Sequence, residues 1–270
     1  PYKLKYKIKI YIKIIKIQKI IIQMENFFDK ISIKPAHHYI LHSSFSAIKS
    51  NTSYDNAETF LLDLMSAITP YGSLIMPTFT YNFVKKDNSH EIYEKFTSKS
   101  WTGYLTEYFR ELPYVYRTSA PTHSFAVWGD VLNYIDKYDN PKSPLGKESL
   151  MDWLTKTPNT HILLLGVDFR SLSYGHYLEV TAPVPYANIF CWDYMNILPK
   201  AESIEGIFDL IEVPGCSQSF NSFQNFLEEN NIIKPIYFNK LKIYNLEVKT
   251  IYEYGIKYFC KNYKFLLCPQ

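Results

Sequence analysis

The chain predicts an α/β fold built on parallel strands, and three observations carry that prediction. Short apolar runs alternate with segments of helical periodicity from Met24 onward. The first three segments follow the order strand, helix, strand, a βαβ unit that implies parallel strands and a right-handed crossover. Strands ending at Leu41, Met76 and Val167 each run into short polar residues. In open α/β sheets the ligand crevice lies at such carboxyl ends. His42, Ser43, Ser44, Thr78 and Ser171 are therefore expected to converge on one edge.

Taken in order, Tyr39-Ile40-Leu41 is the first strand and ends in His42-Ser43-Ser44. Asn56 to Ile68 sets Phe60, Leu61, Leu64, Met65 and Ile68 at helical spacing, with Asp55 or Ser53 as the cap. Thr69-Pro70-Tyr71-Gly72 breaks that helix. Ser73-Leu74-Ile75-Met76 is the second strand, closed by Pro77-Thr78-Phe79-Thr80. Residues 82–100 read as a polar loop. Thr102-Gly103 opens a helix through Leu105, Tyr108 and Phe109 that stops before Pro113. Phe125-Ala126-Val127-Trp128 is a strand, Asn140 to Gly146 a loop, and Ser149 to Thr155 a short helix. Ile162-Leu163-Leu164-Leu165-Gly166-Val167 reads as a fully buried strand. Past Thr181 the order is indistinct, punctuated by Pro183, Pro185 and Pro199. Ile236-Tyr237-Phe238 and Leu241 to Tyr244 suggest a hairpin, and Val248 to Phe259 a helix with Ile251, Tyr252 and Ile256 apolar.

A chain of 270 residues buries a substantial core. Its 24 Tyr, and its enrichment in Lys, Ile and Asn, reflect an A·T-rich coding sequence more than a function. The formal charge of +3 comes largely from the first residues, so the body is close to neutral. That argues against a nucleic-acid binder, which shows a basic stripe. Cys191, Cys216, Cys260 and Cys268 form no C-x-x-C pair and no zinc spacing, as expected of reduced thiols in a cytoplasmic protein. No apolar stretch approaches the roughly 20 residues that span a bilayer.

Pro1 to Gln23 alternates Lys with Tyr, Leu or Ile. It reads as a non-native or disordered leader ahead of a domain that starts at Met24, as a basic membrane-surface element, or as an edge strand. Membrane contact is expected only through this segment. Residues 24–270 are expected to form a single domain.

No G-x-G-x-x-G, G-x-x-x-x-G-K-[ST], G-x-S-x-G or H-E-x-x-H motif occurs, so metal-dependent chemistry has no support. Three clusters carry chemistry instead. His42-Ser43-Ser44-Phe45-Ser46 offers hydroxyls and backbone N–H groups to a phosphate, or is a serine-rich turn capping the next helix. Arg117-Thr118-Ser119-Ala120-Pro121-Thr122-His123-Ser124 offers a guanidinium and four hydroxyls to the same kind of ligand, or is a structural turn. His176-x-x-Glu179 puts an imidazole and a carboxylate on one helix face, either as a surface pair or as a base with its orienting acid.

These clusters, together with Gly72-Ser73-Leu74-Ile75-Met76-Pro77-Thr78-Phe79-Thr80, Thr102-Gly103, Tyr108-Phe109-Arg110 and Leu163-Leu164-Leu165-Gly166-Val167, resemble the aminoglycoside 3-N-acetyltransferase family. They stand in the family's order over roughly residues 36–182, and Leu241 to Leu267 resembles its terminal strand and helix more faintly. The resemblance implies an α/β fold of that family's type, with a mixed, largely parallel central sheet flanked by helices. It implies transfer of an acetyl group from acetyl-CoA, with no metal, to an amino sugar. The acceptor is an aminoglycoside, as in antibiotic resistance, or a surface-glycan or nucleotide-sugar precursor; a non-catalytic relative that binds CoA or a sugar is the reading from another class. A monomer or homodimer is expected. His176 is implied as general base and Glu179 as the residue that orients it. His42, Ser43, Ser44, Phe45, Ser46, Pro77, Thr78, Arg117, Thr118, Ser119, Thr122 and His123 are implied at the CoA site. The chain departs from the family's pattern at Arg170-Ser171-Leu172-Ser173, and at Gly175 where the family carries Leu.

Overall fold

The computed structural model describes residues 27–184, 196–212, 214–215 and 217–263. The basic segment at residues 1–23, Met24, Cys191, Cys216 and Cys268 lie outside the described residues. In chain order the described strands are β1 (His38–Ser43), β2 (Ser73–Pro77), β3 (Phe83–Lys85), β4 (Tyr116–Arg117), β5 (Phe125–Gly129), β6 (Thr160–Leu165), β7 (Ile197–Ser203), β8 (Gly206–Asp209), β9 (Ile236–Phe238) and β10 (Leu241–Glu247). The α-helices are α1 (Phe45–Asn51), α2 (Ala57–Ile68), α3 (Tyr104–Arg110), α4 (Ile135–Tyr138), α5 (Leu150–Lys156), α6 (Ser173–Thr181), α7 (Phe220–Glu229) and α8 (Val248–Asn262).

Seven strands make the main sheet, in the order β4-β5-β2-β1-β6-β10-β9. The sheet is mixed. Its parallel part is confined to β2, β1 and β6 at the centre, where α1 and α2 carry the chain between the first two strands. The flanking strands all pair antiparallel. In β4–β5 and β9–β10 the connection is too short for a parallel crossover, whereas β5 and β10 reach β2 and β6 after long excursions of the chain. The β9–β10 hairpin is the clearest case: Asn239 and Lys240 alone join it, and Asn239 takes φ of 54°.

The two faces of the sheet build two cores. In β6 all six residues are buried, as a central strand covered on both sides requires. Ile162 and Leu164 face one core with Ile40, Ile75 and Tyr244, closed by α5, α6, α7 and α8 through Trp153, Tyr174, Phe223 and Ile251. Leu163 and Leu165 face the other with Tyr39, Leu41, Leu74 and Met76, closed by α2 and α3 through Phe60, Leu64 and Phe109. Period-two strands and helical stripes thus meet in three layers.

Asn56, not Asp55 or Ser53, caps α2. Its extended backbone lets Oδ1 accept from the Thr59 N–H at 2.9 Å. The stretch read as loop at 82–100 contains β3, which joins β7 and β8 in a second sheet of order β3-β7-β8. Phe83, Ala201 and Leu210 form its small apolar cluster. Beyond Thr181 the chain also forms α7, whose Phe220, Phe223 and Leu227 are buried at helical spacing.

Candidate active site

The carboxyl ends of β1 and β2, with the chain that follows β6, surround a cavity of about 370 Å³. β1 contributes His42 and Ser43, and β2 contributes Pro77. Arg170, Ser171 and Leu172 come from the stretch after β6. His176 enters from α6, Thr106 from α3, and Phe79, Tyr81 and Trp101 supply aromatic walls. Gly103 starts α3 at φ of 114°, a backbone state that favours glycine. Ligands of open α/β sheets lie at this edge.

His176 and Glu179 sit one turn apart on α6, and the His176 Nδ1–H donates to Glu179 Oε2 at 3.0 Å. Glu179 is only 1% exposed, so this is no surface pair. The Gly215 N–H also donates to Oε2, at 2.7 Å. A Cβ on Gly215 would stand 1.8 Å from Glu179 Oε1, so the close approach requires glycine. The carboxylate therefore fixes the imidazole tautomer and leaves Nε2 as the free nitrogen. The Phe220 ring packs on the His176 ring at 4.9 Å. The same ring explains Gly175: a Cβ there would lie 2.4 Å from Phe220 Cε2.

The first hydroxyl cluster divides. His42 is 4% exposed, and its Nε2 and the neighbouring Ser43 Oγ are buried without a hydrogen-bond partner. Burial pushes the His42 pKa down to about 3. Ser44 instead caps α1, its Oγ accepting from the Ala47 N–H at 3.4 Å. Phe45 packs against Tyr104, and Ser46 is exposed with its hydroxyl 3.0 Å from that of Ser44. Thr78 is fully buried behind Pro77, its hydroxyl 3.0 Å from Ser124 Oγ.

The second cluster is mostly structural. Arg117 is 4% exposed. Its guanidinium donates to the Thr78 carbonyl at 2.7 Å, to Thr78 Oγ1 and Ser124 Oγ, and to the carbonyls of Lys95 and Ser98. All its nitrogens are engaged within the protein. Thr118 Oγ1 accepts from the Phe125 N–H at 2.8 Å, and Ser119 donates through N–H and hydroxyl to Asp139. Thr122 Oγ1 lies 3.1 Å from His123 Nδ1. His123 is buried among Phe79, Tyr81 and Phe83, and burial, with His176 nearby, holds its pKa well below the ordinary value. Of the twelve residues expected at the CoA site, only His42, Ser43 and Pro77 line the cavity with His176. Of the others, Ser44 and Thr118 accept from backbone N–H groups, and the hydroxyls of Ser46, Thr78, Ser119 and Thr122 lie against side chains. Tyr81, Trp101, Gly215 and Ser217 were not anticipated; Trp101 directly before Thr102-Gly103 is the signal the sequence offered.

Among the described residues, no group of three or more His, Cys, Asp or Glu is arranged to hold a metal ion. No described helix is long and apolar enough to cross a membrane. Cys260 is exposed with a free thiol.

The chain is similar to known proteins along most of its length. It is 24% identical over 177 residues to the SPbeta prophage-derived aminoglycoside N(3')-acetyltransferase-like protein YokD of Bacillus subtilis (strain 168), a match spanning 59% of this chain and 63% of that relative. The crystal structure of YokD superposes with a TM-score of 0.71 at 19% identity, covering 89% of this chain and 98% of that one. The apoenzyme of aminoglycoside acetyltransferase AAC(3)-IVa gives 0.72 at 20% identity, covering 91% and 90%. AAC-IIIb in a binary complex with CoASH gives 0.70 at 13% identity, covering 92% and 97%. At these identities the structures establish the fold. The sequence pattern of the aminoglycoside 3-N-acetyltransferases matches residues 40–260, and the chain belongs to that family.

Proposed function

We propose that this protein transfers the acetyl group of acetyl-CoA to an amino group of an amino sugar, aminoglycosides included. The buried His176–Glu179 pair at the wall of the cavity carries the reading. An amine of pKa near 8–10 is mostly protonated at neutral pH and attacks a thioester only after losing a proton. That first proton goes to solvent; as the neutral amine attacks, His176 Nε2 takes the proton its nitrogen then sheds, and Glu179, held by the Gly215 N–H, stabilises the imidazolium that results. The acyl group passes directly, without a cysteine relay. The CoA complex of the similarly folded AAC-IIIb supports acetyl-CoA as donor. His42, Ser43 and Pro77 are the cavity residues available to it. The donor is a cytoplasmic metabolite, so this reading assigns the enzyme to the cytoplasm.

The described lining holds hydroxyls, aromatic rings and Arg170. An acceptor panel should therefore set less cationic amino sugars beside aminoglycosides. CoA release from acetyl-CoA tests the reading. Wild-type protein is expected to release CoA saturably with at least one amino sugar, and His176→Ala to lose about 10²–10⁴-fold in rate. Saturable CoA binding with no release against the whole panel refutes it.

A further inference from the structure

His42 is the one polar side chain of the cavity wall that is both buried and left with an unanswered ring nitrogen. Its placement follows from the strand. In β1, His38, Ile40 and His42 alternate onto the sheet face covered by α6, while Tyr39 and Leu41 face the other core. His38, at the far end of that face, has its Nδ1 2.9 Å from Ser73 Oγ. His123, close to His176, has its Nδ1 3.1 Å from Thr122 Oγ1. His42 Nε2 is buried and has no such partner, and the residue lines the cavity at the end of the strand. Buried polar groups are normally satisfied, so one left open at a ligand cavity points to a ligand atom.

We infer that His42 donates a hydrogen bond from Nε2 to the carbonyl oxygen of the acetyl thioester as that oxygen becomes negative. The inference rests on acetyl transfer at this cavity. The amine lone pair forms the new C–N bond, and the carbonyl π pair moves onto oxygen. The Nε2–H of His42 stabilises that oxygen without giving up its proton. The amine proton passes to His176 Nε2. When the carbonyl re-forms, the C–S bond breaks, the sulfur leaves with the electron pair, and the proton on His176 goes to sulfur. Two histidines thus divide the work. His176 has a carboxylate behind it and becomes a cation in passing. His42 has none among the described residues and stays neutral, since burial holds its pKa down to about 3. A neutral, fixed donor in a water-poor site is effective because it needs no reorganisation as charge develops.

The test compares His42→Phe, which removes the donor, with His42→Gln, which keeps an N–H on a side chain of similar reach. His42→Phe is expected to lower kcat about 10²–10³-fold, as loss of one oxyanion donor does, with the affinity for CoA by calorimetry within threefold of wild type. His42→Gln is expected to recover at least tenfold of that loss. A second readout needs no turnover and no variant: ring-labelled wild-type protein should show His42 neutral and protonated on Nε2 by ¹⁵N NMR between pH 6 and 8. Unchanged kcat in both variants, a loss confined to CoA affinity, or a His42 ring protonated on Nδ1 alone overturns the inference. Wild-type protein without transfer to any acceptor overturns the functional reading instead, and the tautomer still decides the donor.

Discussion

Replacing Arg117 by Met separates two readings of the same residue. A phosphate ligand would be lost if the guanidinium faced the cavity; a brace would be lost if it faces inward. The structure gives it five protein acceptors and, among the described residues, no hydrogen-bonded carboxylate. Met keeps much of the stem volume and removes every donor. The Thr78 carbonyl still accepts from Ser124 Oγ–H at 2.8 Å, so the carbonyls of Lys95 and Ser98 lose most. Each buried acceptor left open costs about 1–3 kcal/mol, and relief of the guanidinium's own desolvation returns part of it. The net loss is about 2–4 kcal/mol, or about 5–15 °C in Tm for a chain of this size. Thermal unfolding is read beside KM for acetyl-CoA. A large fall in Tm with KM within threefold supports the brace. Unaltered Tm with a tenfold or greater rise in KM refutes it.

Three further outcomes are expected. Gly215→Ala should lower kcat about 10–100-fold with CoA affinity kept, because its Cβ displaces the Glu179 carboxylate by more than an ångström; normal turnover would show that Glu179 does not orient the base. Ser44→Ala should cost about 0.5–1 kcal/mol in urea unfolding and leave KM for acetyl-CoA alone, since its hydroxyl caps α1; the reverse pattern would return Ser44 to the CoA site. Folding should weaken as pH falls below about 6.5. Burial holds the pKa of His42 to about 3, that of His161 to about 4, and that of His123 well below its ordinary value. The unfolded chain binds protons there that the folded chain refuses, at up to about 1.4 kcal/mol per pH unit for each ring. Identical urea midpoints at pH 7 and pH 5.5 would contradict this.

The sequence made the central sheet legible because its strands are apolar runs that a buried position demands. Ile162 to Leu165 reads correctly from hydropathy alone, as do the helices carrying Phe60 and Phe109. β3, β7 and β8 form a half-exposed sheet whose apolar residues fall in adjacent pairs, so neither a long run nor alternation marks them. α7 carries its apolar stripe at Phe220, Phe223 and Leu227, but it follows a proline-punctuated stretch in which helical periodicity is broken. Within the site, the i,i+3 rule brought His176 to Glu179. It could not tell which hydroxyls face a ligand. Arg117, Thr118 and Ser124 have the composition of a binding loop, and only the fold shows them turned inward. Gly215 was invisible for the opposite reason, since it acts through its backbone from 36 residues away.

The division of the interior by the main sheet has an evolutionary reading. Side chains such as Phe60, Leu64 and Leu163 sit in the layer remote from His176, where drift is felt mainly as altered expression and thermal tolerance. Phe79, Leu172, Tyr174 and Phe220 belong to the layer that adjoins the His176 ring, so on the proposed function a change there reaches turnover as well. A lineage adapting to a new acceptor would thus accumulate its functional substitutions on one side, with compensating ones free to arise on the other.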